Sequence, residues 1–181
     1  RPVDVGYRAR KTPAWLGYFG QEKWLIADKF LKTAGRYNLN HDVSWLESDR
    51  IYGDEWLNFI QNCKAMLGVE SGSSICDFTG EIQKNVENHL KKHPAATFEE
   101  LRDLYFKGVD GRHSIQVISP RCFEAAAMRT LMIMYEGNYS GRLVPGRHYV
   151  VLNRDHGNMD EVVDIICNHK KAQQIIDNAY N

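Results

Sequence analysis

Glu124 lies in the run Ser119-Pro120-Arg121-Cys122-Phe123-Glu124-Ala125-Ala126-Ala127. A carboxylate in that setting can accept hydrogen bonds from both hydroxyls of a ribose. Ser119 suits a helix N-cap, Pro120 its first turn, and the alanines extend the helix with little loss of side-chain entropy. The amides at this helix start, together with Arg121, can bind an anion. A plainer reading is also open: a surface Glu near the positive end of the dipole, worth about 0.3–1 kcal/mol. A second basic group follows the first apolar run: Arg8, Arg10 and Lys11, with Lys23 beyond. Arginine offers a planar fork of donors for a diphosphate and lysine a point charge, although a solvated basic loop would look the same. Glu70-Ser71-Gly72-Ser73-Ser74 has the composition of a backbone nest for phosphate or sugar, or of an ordinary turn. Tyr139, Ser140 and Gly141 stand in a third Gly-rich stretch.

Several chemistries lack their residues. The Gly-Lys-Ser/Thr ending of a phosphate-binding P-loop is absent, as is Gly-x-Gly-x-x-Gly. His89 and His93 are four apart, but no acid of the zincin type lies between them and no third ligand is evident, so they read as surface histidines and no metal site is expected. His41-Asp42 lacks a nucleophile motif, and His148-Tyr149 reads as strand packing.

Strands alternating with helices must position these groups. Val3 to Tyr7 reads as a strand, Gln21 to Thr33 as an amphipathic helix, and Asp42 to Trp45 as a weak strand. A helix over Gly53 to Cys63 turns Trp56, Leu57, Phe59 and Ile60 inward. Ala65 to Val69 is a third strand. Gly80 to Lys92 is helical, Thr97 opens another helix with a capping box, and Val109 to Arg112 is a turn. Leu131 to Met134 reads as a strand buried on both faces, and His148 to Leu152 as the next strand. Asn158 caps a helix to Cys167, and Lys170 to Tyr180 is the last. The expected fold is a Rossmann-like three-layer α/β/α domain with a parallel sheet, a single unit over 1–181. A helical insertion at about 80–112 is expected to cover the site. Ligands on such sheets bind outside the carboxyl ends of the strands, here the loops after Tyr7, after Val69, around Ser119 and after Tyr135.

Phe123-Glu124-Ala125-Ala126-Ala127, then Thr130, an apolar strand, Gly137 and Pro145-Gly146-Arg147-His148-Tyr149 together resemble a known pattern. It is that of the C-terminal, donor-binding half of a GT-B glycosyltransferase, in the group-1 (family-4-like) group and its spore-protein-like branch. The resemblance is strongest over Ile118 to Tyr180 and extends through Gly6-Tyr7-Arg8 and Glu70 to Ser74. It implies glycosyl transfer from a nucleoside diphosphate sugar to an acceptor hydroxyl, with Glu124 on the donor ribose. Arg8 and Lys23 would be the catalytic cations that meet charge growing on the departing diphosphate, in the metal-independent manner usual for this group and with no cofactor beyond the donor. Ser119, Arg121, Glu70, Ser71, Gly72, Ser73, Tyr139, Ser140 and Gly141 would be substrate-binding. The chain departs from the pattern twice: Trp24 replaces a Gly after Lys23, and Gln116 stands where many members carry a Glu. The acceptor half would be a partner outside this chain. A non-catalytic nucleotide- or sugar-binding module, or half of a sugar-nucleotide epimerase, are the alternatives.

The bulk numbers bound the rest. The 181 residues suit one domain, and a formal net charge of zero gives no footprint for nucleic acid or anionic membrane. No apolar run approaches the ~20 residues of a membrane span. Four scattered cysteines, Cys63, Cys76, Cys122 and Cys167, read as free, mostly buried thiols in a reducing, cytoplasmic compartment.

Overall fold

A computed structural model describes residues 1–181. Five parallel strands form the main sheet: β1 (Val3–Arg8), β2 (His41–Ser44), β3 (Cys63–Gly68), β6 (Leu131–Tyr135) and β7 (Val150–Leu152), in the order β2-β1-β3-β6-β7. Between β3 and β6 the chain leaves the sheet. It forms a two-stranded antiparallel ribbon of β4 (Ser71–Ser73) and β5 (Ile115–Val117). This is the expected Rossmann-like three-layer arrangement, with helices on both faces.

Alternation along the strands divides the core. Val5, Tyr7, Ala65, Leu67, Leu131, Ile133 and Tyr135 face the helices α1 (Gly17–Ala34) and α6 (Met159–Cys167), meeting Ile26, Phe30, Met159 and Val162. The opposite residues, Met66, Met132 and Met134, face α2 (Gly53–Asn62) and α5 (Pro120–Ala127). The final helix, α7 (His169–Tyr180), packs Ala172, Ile175 and Ile176 against the first core and Ala179 against the second, so it wraps from one face to the other. Every residue of β6 is buried, as its unbroken apolar sequence requires. No helix is long and apolar enough to cross a membrane.

The ribbon carries α3 (Glu81–Lys92) and α4 (Phe98–Tyr105). Thr97 and Glu100 form the expected capping box at the start of α4. These helices have a small core of their own, Ile75, Val86, Leu101 and Phe106, closed from the main domain by Ala14 and Trp15. Asp110, almost fully buried, joins the two parts: it accepts hydrogen bonds from Ser74 Oγ at 2.6 Å and Arg102 Nε at 3.0 Å, and from the Tyr18 amide at 3.3 Å. The insertion therefore buttresses the loop after β1 from outside. It does not cover the cleft described below, none of whose lining residues comes from it.

The Gly/Ser segment is not a nest. Ser71, Gly72 and Ser73 pair with Val117, Gln116 and Ile115, and a side chain at position 72 would place its Cβ 1.7 Å from the Ile115 carbonyl oxygen. Glycine stands there because two backbones meet. The four thiols are free, with Cys63 and Cys122 buried, Cys76 half-buried and Cys167 exposed. Burial pushes the Cys63 and Cys122 thiols up to about 11, so both are weak nucleophiles.

Candidate functional site

Progress through the sheet reverses between β1 and β3, and the crevice outside their carboxyl ends is where open α/β sheets bind ligands. A cleft of about 510 Å³ opens at that point. Its walls come from the end of β1 and the loop beyond it, from α1 through Lys23, from Arg50 to Trp56, and from the first turns of α5. Its floor is the ends of β3 and β6.

Charge in the cleft is lopsided. Arg8, Arg10, Lys23, Arg50 and Arg121 line it together with one acid, Glu124. Two of the cations are neutralised within the fold. Arg8 pairs with Asp42 at 2.7 Å through one terminal nitrogen, gives the other to the Tyr7 and Asp42 carbonyls, and lies over the Phe59 ring at 4.5 Å; its Nε is buried without a partner. Arg50 pairs with Glu47. No acid lies within ion-pair distance of Arg10, Lys23 or Arg121. Burial, then the charges of Arg121 and Arg10, hold the Lys23 ammonium below the usual lysine range. Three cations that repel one another, without a counter-charge, make a place for an anion.

Arg121 is held by aromatic faces. Its guanidinium carbon lies 4.9 Å from the centre of the Tyr7 ring and 5.3 Å from that of Trp56, and its Nε is buried without a partner. Tyr7 is fixed in turn by its hydroxyl, which donates to the Lys23 carbonyl at 2.9 Å. Ser119 occupies the N-cap of α5 and Pro120 its first position, yet the Ser119 side chain makes no capping bond. Its hydroxyl is therefore uncommitted at the cleft wall. One turn on, Glu124 Oε2 accepts a hydrogen bond from Trp56 Nε1 at 2.8 Å, and Oε1 has no partner.

The sequence-derived candidates thus separate into two groups. Arg8, Lys23, Ser119, Arg121 and Glu124 line one cleft. Glu70, Ser71, Gly72, Ser73, Tyr139, Ser140 and Gly141 lie outside it. Glu70 is buried and accepts the Tyr139 amide at 2.6 Å, which ties the strand β3 exit to the β6–β7 connection. Ser73 donates to the Leu16 and Ile75 carbonyls. Tyr139 is fully buried, its hydroxyl on the Tyr135 carbonyl, and Tyr139, Ser140 and Gly141 form a left-handed turn. His89 rests its Nδ1 on the Tyr105 hydroxyl, with His93 alongside.

Sequence reasoning placed Trp56 in the core and passed over Arg50 to Gly53. The available signal was the indole N–H, a donor that a purely apolar position does not need. No family model matches this chain, and no curated protein matches it.

Proposed function

We propose that the cleft binds a nucleoside diphosphate sugar and that this chain is the donor-binding half of a GT-B glycosyltransferase of the group-1 kind. One observation carries the reading: Arg10, Lys23 and Arg121, all without acidic partners, share the switch-point cleft with the half-free carboxylate of Glu124. A diphosphate supplies the missing negative charge, and a ribose supplies hydroxyl donors for Glu124. The uncommitted Ser119 hydroxyl and the amides of the α5 start add neutral donors on the same wall.

In glycosyl transfer the bond to the sugar breaks as negative charge grows on the diphosphate. Cations fixed before reaction stabilise that charge without reorganising. Arg121 is held by the Tyr7 and Trp56 faces and Lys23 is half-buried on the cleft wall, with Arg10 at the rim. Arg8, whose two terminal guanidinium nitrogens are engaged by Asp42 and backbone carbonyls, serves in this scheme as a brace that orients the end of β1 rather than as the principal cation. The acceptor, and any base that activates it, would come from a second domain.

The test is calorimetric titration with UDP, GDP, ADP and dTDP, without and with magnesium. Saturable binding of one of them is expected, weakened about tenfold or more in Glu124→Ala, because a hydrogen bond to a charged group contributes about 1.5–3 kcal/mol. Absence of binding by the folded wild type, or unchanged affinity in Glu124→Ala, refutes the assignment. Turnover with acceptor by a protein containing both halves separates transfer from mere binding. Product analysis without acceptor separates it from epimerisation.

A further inference from the structure

Arg121 and Glu124 are three apart on α5, a spacing at which opposite charges normally pair. They do not pair here. One side chain, Trp56, contacts both. The Trp56 indole gives its only hydrogen-bond donor to Glu124 Oε2 at 2.8 Å, and the face of the same indole lies 5.3 Å from the Arg121 guanidinium carbon. The indole is itself fixed by stacking on Phe59, with ring centres 5.7 Å apart and planes inclined at 23°.

We infer that Trp56 is a positioning residue that prevents the cleft from neutralising itself. By drawing the carboxylate to its edge and the guanidinium to its face, it leaves a cation and an acid side by side and both open to a ligand. Without it, Arg121 would turn to Glu124, and the anion-binding and hydroxyl-binding groups would satisfy each other. This inference rests on the donor-site reading above. It adds that the site's two chemistries are held apart by a residue that need not touch the ligand.

The experiment uses the whole chain, with UDP, GDP, ADP, dTDP and inorganic pyrophosphate as probes, and with thermal unfolding to verify folding. Trp56→Phe keeps a ring face for Arg121 and removes the donor to Glu124. It is expected to weaken the nucleoside diphosphate about tenfold and pyrophosphate less than threefold. Trp56→Leu removes both supports and is expected to weaken both probes at least tenfold. The decisive variant is Trp56→Leu combined with Glu124→Gln. Removing the acid frees Arg121, so pyrophosphate affinity should return to within about threefold of wild type while nucleoside diphosphate affinity stays low. A simple packing defect would not be repaired that way. If pyrophosphate binding stays lost in the folded double variant, or if Trp56→Phe binds every probe as wild type does, the role of Trp56 is overturned and the donor site stands. If wild type binds none of the probes, the donor-site reading fails first and this one with it.

Discussion

Stability between pH 6.5 and pH 4 should depend on one buried histidine. His156 is 4% exposed, its Nε2 lies 2.9 Å from the Tyr135 hydroxyl, and its Nδ1 is buried without a partner. Burial first, then the Lys29 ammonium, lowers its pKa to about 4, with Asp155 acting weakly the other way. An unfolded histidine titrates near 6.5, so below that pH the unfolded chain binds a proton that the folded one refuses. Stability is thus complete above pH 6.5 and is lost as pH falls toward 4. The linkage relation gives a loss of about 2 kcal/mol at pH 5 and about 3 kcal/mol at pH 4. The backbone at His156 has φ 60, a left-handed conformation that asparagine tolerates, so His156→Asn removes the titration without straining the chain. Urea unfolding at pH 7 and pH 5 measures the effect. With a slope of about 2 kcal/mol per molar, the wild-type midpoint should fall by about 1 M from this group alone. The difference between wild type and His156→Asn isolates it from carboxylates such as Asp4, whose burial would raise its pKa but which hydrogen bonds from Lys64 and the Asn40 amide hold below the usual range, and which titrate at lower pH. Parallel pH profiles for the two proteins would refute the argument.

Two further outcomes follow from the geometry. Because Lys23 is held below the usual lysine range, nucleoside diphosphate affinity should fall as pH rises through its lowered pKa, while the arginines stay charged; Lys23→Met should bind weakly at pH 7 and lose that alkaline dependence in calorimetry. Gly72→Ala forces a Cβ against the Ile115 carbonyl, so it should separate β4 from β5, lower the thermal midpoint by several degrees and speed proteolytic cutting between residues 74 and 114; an unchanged cutting rate would count against the ribbon.

The layers were legible because they rest on local patterns. The five apolar residues of β6 are all buried, and Thr97 with Glu100 makes its capping box without help from elsewhere. Where a distant partner decides, sequence alone misleads. Ser71-Gly72-Ser73 reads as a turn but is a strand, because its partner Ile115–Val117 lies beyond two helices. The sequence starts the first helix at Gln21, whereas α1 begins one turn earlier, at Gly17. Gly17 is there because Ser74 and Asp110 press against it, and Gly20 because the Leu16 side chain does. The same division holds for the site. Glu124, Arg121 and Ser119 share one short helix and were found together. Trp56 belongs to the site through a hydrogen bond across 68 positions, and Arg8 is weakened as a candidate by Asp42 on the neighbouring strand.

The excursion between β3 and β6 also bears on how the chain finds its fold. Strands β1, β2 and β3 are joined by ordinary helical crossovers, whereas β6 joins β3 only after residues 69–130 have been gathered. The closure entropy of a flexible loop grows by only about 0.6 kcal/mol per doubling of its length, so the long excursion costs the native state little. The delay falls on the rate, since contacts distant in sequence are rewarded late. The β1–β2–β3 half should assemble first and present the edge of β3 as a template, with β6 and β7 adding afterwards. The cleft spans that seam: Arg8, Arg10, Lys23 and Arg50 belong to the early half, and Arg121 and Glu124 to the late one. A ligand that bridged the two groups would therefore stabilise the joint that forms latest.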